Sequence, residues 1–167
     1  MLKYFNKRIL INFFLILSIF CLDRFSKIYV INFHEKSSGS DLYNSKFLNI
    51  SLIWNEGIAF GLFSFSDKFF YHILTFLIAV VILVIILMLN KSKGLKKYSL
   101  LMILGGALGN FYDRIFFEAV PDFIDFHVEN FHWFIFNVSD IFISLGVIFM
   151  IILEVISNNK EHINENN

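Results

Sequence analysis

The chain has 167 residues, enough for one domain, and its 57 % hydrophobic content and mean hydropathy of +0.67 exceed what a soluble globule of this size needs. Lys+Arg and Asp+Glu each number 14, so the formal net charge is zero, which excludes the basic footprint of a nucleic-acid binder and an acidic tail that recruits cations. The single cysteine, Cys21, excludes an internal disulfide, a thiol relay and a cysteine-rich metal site.

Crossing about 30 Å of hydrocarbon takes roughly 20 apolar residues as helix, and four segments qualify. The first runs from Ile9 to about Phe33, interrupted by Asp23, Arg24 and Lys27. Its basic start and the cysteine at 21 resemble a cleaved lipoprotein leader, but Phe20 stands where a small residue is required, so the segment is read as a retained span. In the loop that follows, residues 34 to 66, "FLNISLIW" alternates Leu48, Ile50, Leu52 and Trp54 against Asn49, Ser51 and Ile53, the period of a small sheet at the membrane surface. Phe69 to Leu89 is a span without a charged residue, and Lys91, Lys93, Lys96 and Lys97 fill the link to the third span, Tyr98 to Phe117, which carries Asp113 and Arg114 near its end.

Glu118 to Phe136 has four acidic residues and no Lys or Arg, as an outside loop does. Val138 to Ile156 is the fourth span, after which the polar residues 158–167 have nothing to bury and are expected to lack order. The basic residues before the first span and in the link orient both termini to the cytoplasm. The expected fold is an all-α membrane protein: one domain over residues 1–157, four transmembrane helices and a small extracytoplasmic sheet in the first outer loop.

Ionisable residues within or beside spans usually face protein or water and mark function. Asp23 and Lys27 share a helix face at i,i+4, and their plainest role is an internal ion pair. In "GGALGNFYDR", Gly105 and Gly109 have the small-xxx-small spacing of a close helix contact. Asn110, Asp113 and Arg114 cluster within a turn, where Asp113 and Arg114 can neutralise each other locally.

Pro121 disrupts helix and precedes Asp122; eighteen residues on, Asp140 opens the fourth span. Consecutive spans joined by a short loop are neighbours, so the two acids can meet at one depth. Asn137 is also a favoured N-cap with Asp140 as its capping-box partner, and the helix start welcomes a negative charge. Capping and pairing are compatible, because a helix end favours ionisation of one acid while repulsion disfavours it in the other. An unequal carboxylate pair can activate water for amide hydrolysis.

Other chemistries have less support. His34–Glu35 lacks a second histidine, and His127 and His132, five apart, do not share a helix face; all three are expected to be polar loop residues, with no metal site. No GxSxG elbow and no phosphate loop occur. A small proton-coupled transporter is the alternative class, since embedded carboxylates serve that function too.

The segments "DRFSK" (23–27), "NEGIAFGLF" (55–63), "GGALGNFYDR" (105–114), "VPDF" (120–123) and "FNVSD" (136–140), in this order across four spans, resemble the bacterial lipoprotein signal peptidase family, signal peptidase II. The resemblance implies a membrane aspartic endopeptidase of the bacterial cytoplasmic (inner) membrane. Such an enzyme removes signal peptides from diacylglyceryl-modified prolipoproteins, cutting just before the lipid-bearing cysteine, with its active site near the outer, periplasmic face. It implies catalysis by Asp122 and Asp140, with support from Asp23, Lys27, Asn55, Gly57, Asn110, Asp113, Arg114 and Asn137. It also implies no cofactor, a monomer in contact with membrane lipid, and a substrate-cradling sheet over residues 47–65. Two positions depart from the family pattern: Ser139, where alanine is usual, and Glu118, where glycine is frequent.

Overall fold

The computed structural model describes residues 2–57, 68–129 and 131–165, with side chains described from 7 to 157 within those ranges. Four helices, α1 (Leu2–Lys36), α2 (Lys68–Lys91), α3 (Gly94–Phe117) and α4 (Val138–Glu165), contain segments long and apolar enough to cross a membrane. Each of the 24-residue helices α2 and α3 extends about 36 Å. The helix of α4 continues past the apolar run and through most of the tail expected to lack order. Lys96 and Lys97 belong to the first turn and a half of α3, which Gly94 starts with φ 58.

Helix α3 is the hub, packing against α1, α2 and α4. Its Leu100 and Leu104 join Ile82 and Ile85 of α2 in the apolar core, flanked by Ile16 of α1 and Met150 of α4. The outward surface of the bundle is equally apolar: Phe76, Leu83, Leu87 and Ile151 are all more than half exposed. Charged residues lie inside instead, with Asp23, Lys27 and Asp113 fully buried. A bundle with apolar side chains outward and ions inward suits a lipid solvent, where contact with hydrocarbon carries no penalty and an exposed charge does.

Glycines allow the hub its close contacts. A Cβ on Gly106 would lie 2.5 Å from the Ser139 carbonyl oxygen of α4, and one on Gly105 would lie 2.9 Å from Ile19 Cβ of α1. Gly146 of α4 is similarly pressed onto α3, where an added Cβ would lie 2.8 Å from the Ser99 carbonyl oxygen. Gly105 therefore marks the α1 side of α3 and Gly106 its α4 side, while Gly109 lies where both neighbours meet it.

At one end of the bundle lies a four-stranded antiparallel sheet in the order β1 (Tyr43–Asn44), β2 (Leu48–Asn55), β3 (Val120–Val128), β4 (Phe131–Phe136). The sheet expected from residues 34–66 alone is thus half of a larger one, because the segment between α3 and α4 supplies β3 and β4. The part of the cradle assigned to 58–65, including most of "NEGIAFGLF", lies outside the described residues. The alternation in β2 does not produce one buried face: Ile53 and Trp54 are both exposed, and the pairing with β3 slips between Ile50 and Ile53. Pro121 sits at the start of β3 opposite Trp54, a position that strands tolerate, and α3 ends before it through Glu118 in the left-handed conformation.

Replacing Gly106 with alanine forces α3 away from the α4 backbone and is expected to destabilise the bundle by about 1–3 kcal/mol. Reversible unfolding in mixed micelles measures this; an unchanged midpoint would show that the two helices do not need the contact.

Candidate active site

Three helices and two strands converge where the bundle meets the sheet. Strand β3 delivers Asp122, β2 delivers Asn55, the last turns of α3 deliver Asn110, Asp113 and Arg114, and α1 presents Asp23, Arg24 and Lys27. Strand β4 runs directly into Asn137 and α4.

Asn137 is fully buried and touches both acids. Its side-chain Nδ2 donates to Asp122 Oδ1 at 2.6 Å, while its Oδ1 accepts the Asp140 backbone N–H at 3.1 Å and its own backbone N–H donates to Asp140 Oδ2 at 3.2 Å. The last two bonds form the reciprocal capping box expected of Asn137 and Asp140. The first extends it into a bridge, so capping and carboxylate pairing share one residue.

The other carboxylate oxygen of each acid is also engaged. Asn55 Nδ2 donates to Asp122 Oδ2 at 2.8 Å, and its own Oδ1 accepts the Gly57 N–H at 2.9 Å, which fixes the amide's orientation. Asn110 Nδ2 donates to Asp140 Oδ1 at 2.8 Å. Burial first, and then the like charge of Asp140, push the Asp122 carboxyl from its ordinary 3.8 up to about 6. An apolar groove of about 310 Å³ adjoins Asp140, lined with it by Ile141, Ser144 and Leu145 along one face of α4 and by Phe134 and Phe136 of β4.

Behind the pair is a buried ionic cluster. The three donors of the Lys27 ammonium meet Asp113 Oδ2 at 2.6 Å, Asn110 Oδ1 at 2.8 Å and Asp23 Oδ2 at 2.9 Å. Asp23 and Lys27 form the expected pair, but Asp113 is held by α1 rather than by its neighbour Arg114. Adjacent helical residues point in different directions, and Arg114 Nη2 donates instead to the Gly57 carbonyl at 2.8 Å. Asn110 joins the two layers, accepting from Lys27 and donating to Asp140. The remaining Asp23 oxygen, Oδ1, accepts the Ser139 backbone N–H at 3.0 Å, tying the start of α4 to α1.

Two participants escaped the sequence reading. Arg24 grips Asp113 through two nitrogens at 2.6 and 2.7 Å and lies over the Tyr112 ring. Its place within "DRFSK", one turn from Lys27, was the available signal. Tyr71 of α2 donates its hydroxyl to the Arg114 carbonyl at 3.1 Å; a tyrosine in an apolar span needs such a partner.

The sequence profile described as Signal peptidase (SPase) II matches residues 15–156. The lipoprotein signal peptidase of Pelagibacter ubique (strain HTCC1062) is 48 % identical over 155 residues, covering 93 % of each chain. That of Anaplasma marginale (strain Florida) is 37 % identical over 87 % of this chain and 84 % of its own. The chain belongs to the signal peptidase II family. A bacterial membrane enzyme solved by the in meso method superposes with a TM-score of 0.71 at 26 % identity, covering 89 % of this chain and 90 % of its own.

Both departures from the family pattern have a structural context. Glu118 adopts φ 55 as the C-cap of α3, a conformation that glycine enters without strain, and its exposed carboxylate pairs with Lys68 at 3.0 Å, which holds its pKa below the ordinary range. The Ser139 hydroxyl is fully buried without a hydrogen-bond partner and is pressed against Gly109, where alanine would leave no unmatched polar atom. The histidine expectation needs correction: His127 lies in β3 and His132 in β4, directly opposite in register, and His127 is buried. Helical spacing was the wrong test for residues on a hairpin.

Removing the Lys27 ammonium leaves two buried carboxylates short of a partner, so Lys27→Met is expected to cost about 3–5 kcal/mol in detergent unfolding. A change below about 1 kcal/mol would mean that Arg24 alone neutralises the pair.

Proposed function

We propose that this chain is an aspartic endopeptidase that removes signal peptides from diacylglyceryl-modified prolipoproteins, cutting just before the lipid-bearing cysteine. Membership of the signal peptidase II family supports the removal of signal peptides from lipoproteins. The observation that carries the mechanism is the Asn137 bridge, with one amide hydrogen-bonded to Asp122 and its peptide unit bonded to Asp140.

In this reading the two acids share one proton. Asp140 is the base: the N-terminus of α4 and the Asn137 N–H stabilise its negative charge. Asp122, pushed up to about 6, is the protonated partner. A water between them loses a proton to Asp140 as its oxygen attacks the scissile carbonyl, while Asp122 donates a hydrogen bond to the developing oxyanion. Collapse of the tetrahedral intermediate breaks the C–N bond, and the proton taken up by the dyad passes to the leaving amine. Asn55, Asn110 and Asn137 are positioning residues. Arg114 supplies positive charge nearby and holds the Gly57 carbonyl; Asp23, Lys27 and Asp113 anchor the helices beneath.

The apolar groove beside Asp140 suits a substrate arriving laterally from lipid, with the acyl chains holding the scissile bond at the interface. The basic link between α2 and α3 supports an orientation with both termini in the cytoplasm of a bacterial inner membrane, which sets the sheet and the pair at the periplasmic face.

Asp122→Asn and Asp140→Asn are each expected to lower cleavage of a diacylglyceryl-modified precursor by roughly 10²–10⁴-fold, with helical content retained by circular dichroism. Full activity in either folded variant would overturn the assignment. Because the mechanism uses protonated Asp122, kcat/KM is expected to fall as pH rises through about 6. A profile flat to pH 8 would contradict that role.

A further inference from the structure

Asp125, His127 and His132 form a second cluster, with one ligand-type atom from each lying within 4.8 Å of the others. Residues 125 and 127 are two apart on β3 and share a face, and His132 of β4 stands opposite His127 in the register. The imidazoles stack at 5.3 Å and turn their Nδ1 atoms toward the same carboxylate oxygen, Asp125 Oδ2, at 2.8 Å from His132 and 3.7 Å from His127.

A hydrogen bond satisfies only the first of these contacts. His127 Nδ1 is left with no hydrogen-bond partner although the residue is 9 % exposed and the Asp125 carboxylate is buried. Two nitrogens and one carboxylate facing a common point make a donor set for a borderline divalent ion. Ligand atoms about 2.0–2.1 Å from a tetrahedral zinc stand about 3.3 Å apart, between the two separations observed, so small rotations of the rings admit the ion.

We propose that Asp125, His127 and His132 bind a divalent transition metal of the zinc class, with the half-exposed His132 side leaving the fourth position to solvent. The ion would fasten β3 to β4 at the far end of the hairpin. Their near ends deliver Asp122 and Asn137, so the metal would act as a structural staple for the strands that position the acid pair, with no part in bond cleavage.

The test uses the tag-free full-length protein in detergent, titrated with Co²⁺ and read by visible absorption, followed by displacement with Zn²⁺. One ion per chain is expected, with affinity falling at least about tenfold in His132→Ala and in Asp125→Asn. His132 is half exposed, so its truncation leaves a folded protein to measure. Zn²⁺ is also expected to slow amide hydrogen exchange across the β3–β4 hairpin. Absence of stoichiometric binding, or equal affinity in both variants, would overturn the proposal.

Discussion

Asn137 stands where strand β4 becomes helix α4, between two carboxylates. Its backbone must leave β4 and enter α4 in a single step, which leaves its N–H free for Asp140 and its side chain free for Asp122. Because its Oδ1 is engaged by the Asp140 N–H, the amide cannot flip, and Nδ2 must face Asp122. The two acids are held by the same rigid group, with different surroundings: one at a helix start, the other on a strand between two amides.

This arrangement requires charge to be kept deep in an apolar bundle, and the ionic cluster makes that possible. Lys27 and Arg24 neutralise Asp23 and Asp113, so that Arg114 is left as the further cation beside Asp122 and Asp140. The glycines of α3 follow from the same need. Gly109 lies under Ser139 and Asp23, so a methyl group there would occupy the space in which α1, α3 and α4 exchange their polar contacts. Helix packing and site assembly are therefore one problem, solved on one helix.

Much of this was legible in the sequence. Hydropathy locates four helices because lipid demands long apolar runs, and the short 118–136 segment brings the ends of α3 and α4 together. Capping preference alone identifies Asn137 with Asp140. The bridge to Asp122 was hidden, since it depends on β4 entering α4 at a particular angle. Strands β3 and β4 were hidden as well: Pro121 and the acids between Glu118 and Glu129 read as loop, although "HWFIF" carries the aromatic and β-branched residues of a strand. Asp113 and Arg114 show the limit of proximity in sequence, because each is satisfied by a residue more than fifty positions away.

The proposed mechanism requires Asp122 and Asp140 to behave as one coupled, unequal pair. Carboxyl-carbon NMR of the protein labelled at aspartate, followed across pH, tests this directly. A carboxyl titrating near 6 is expected, assigned to Asp122 and moved downward when Asp140 is replaced by asparagine. Two acids titrating independently, with Asp122 unmoved by the change at Asp140, would contradict it.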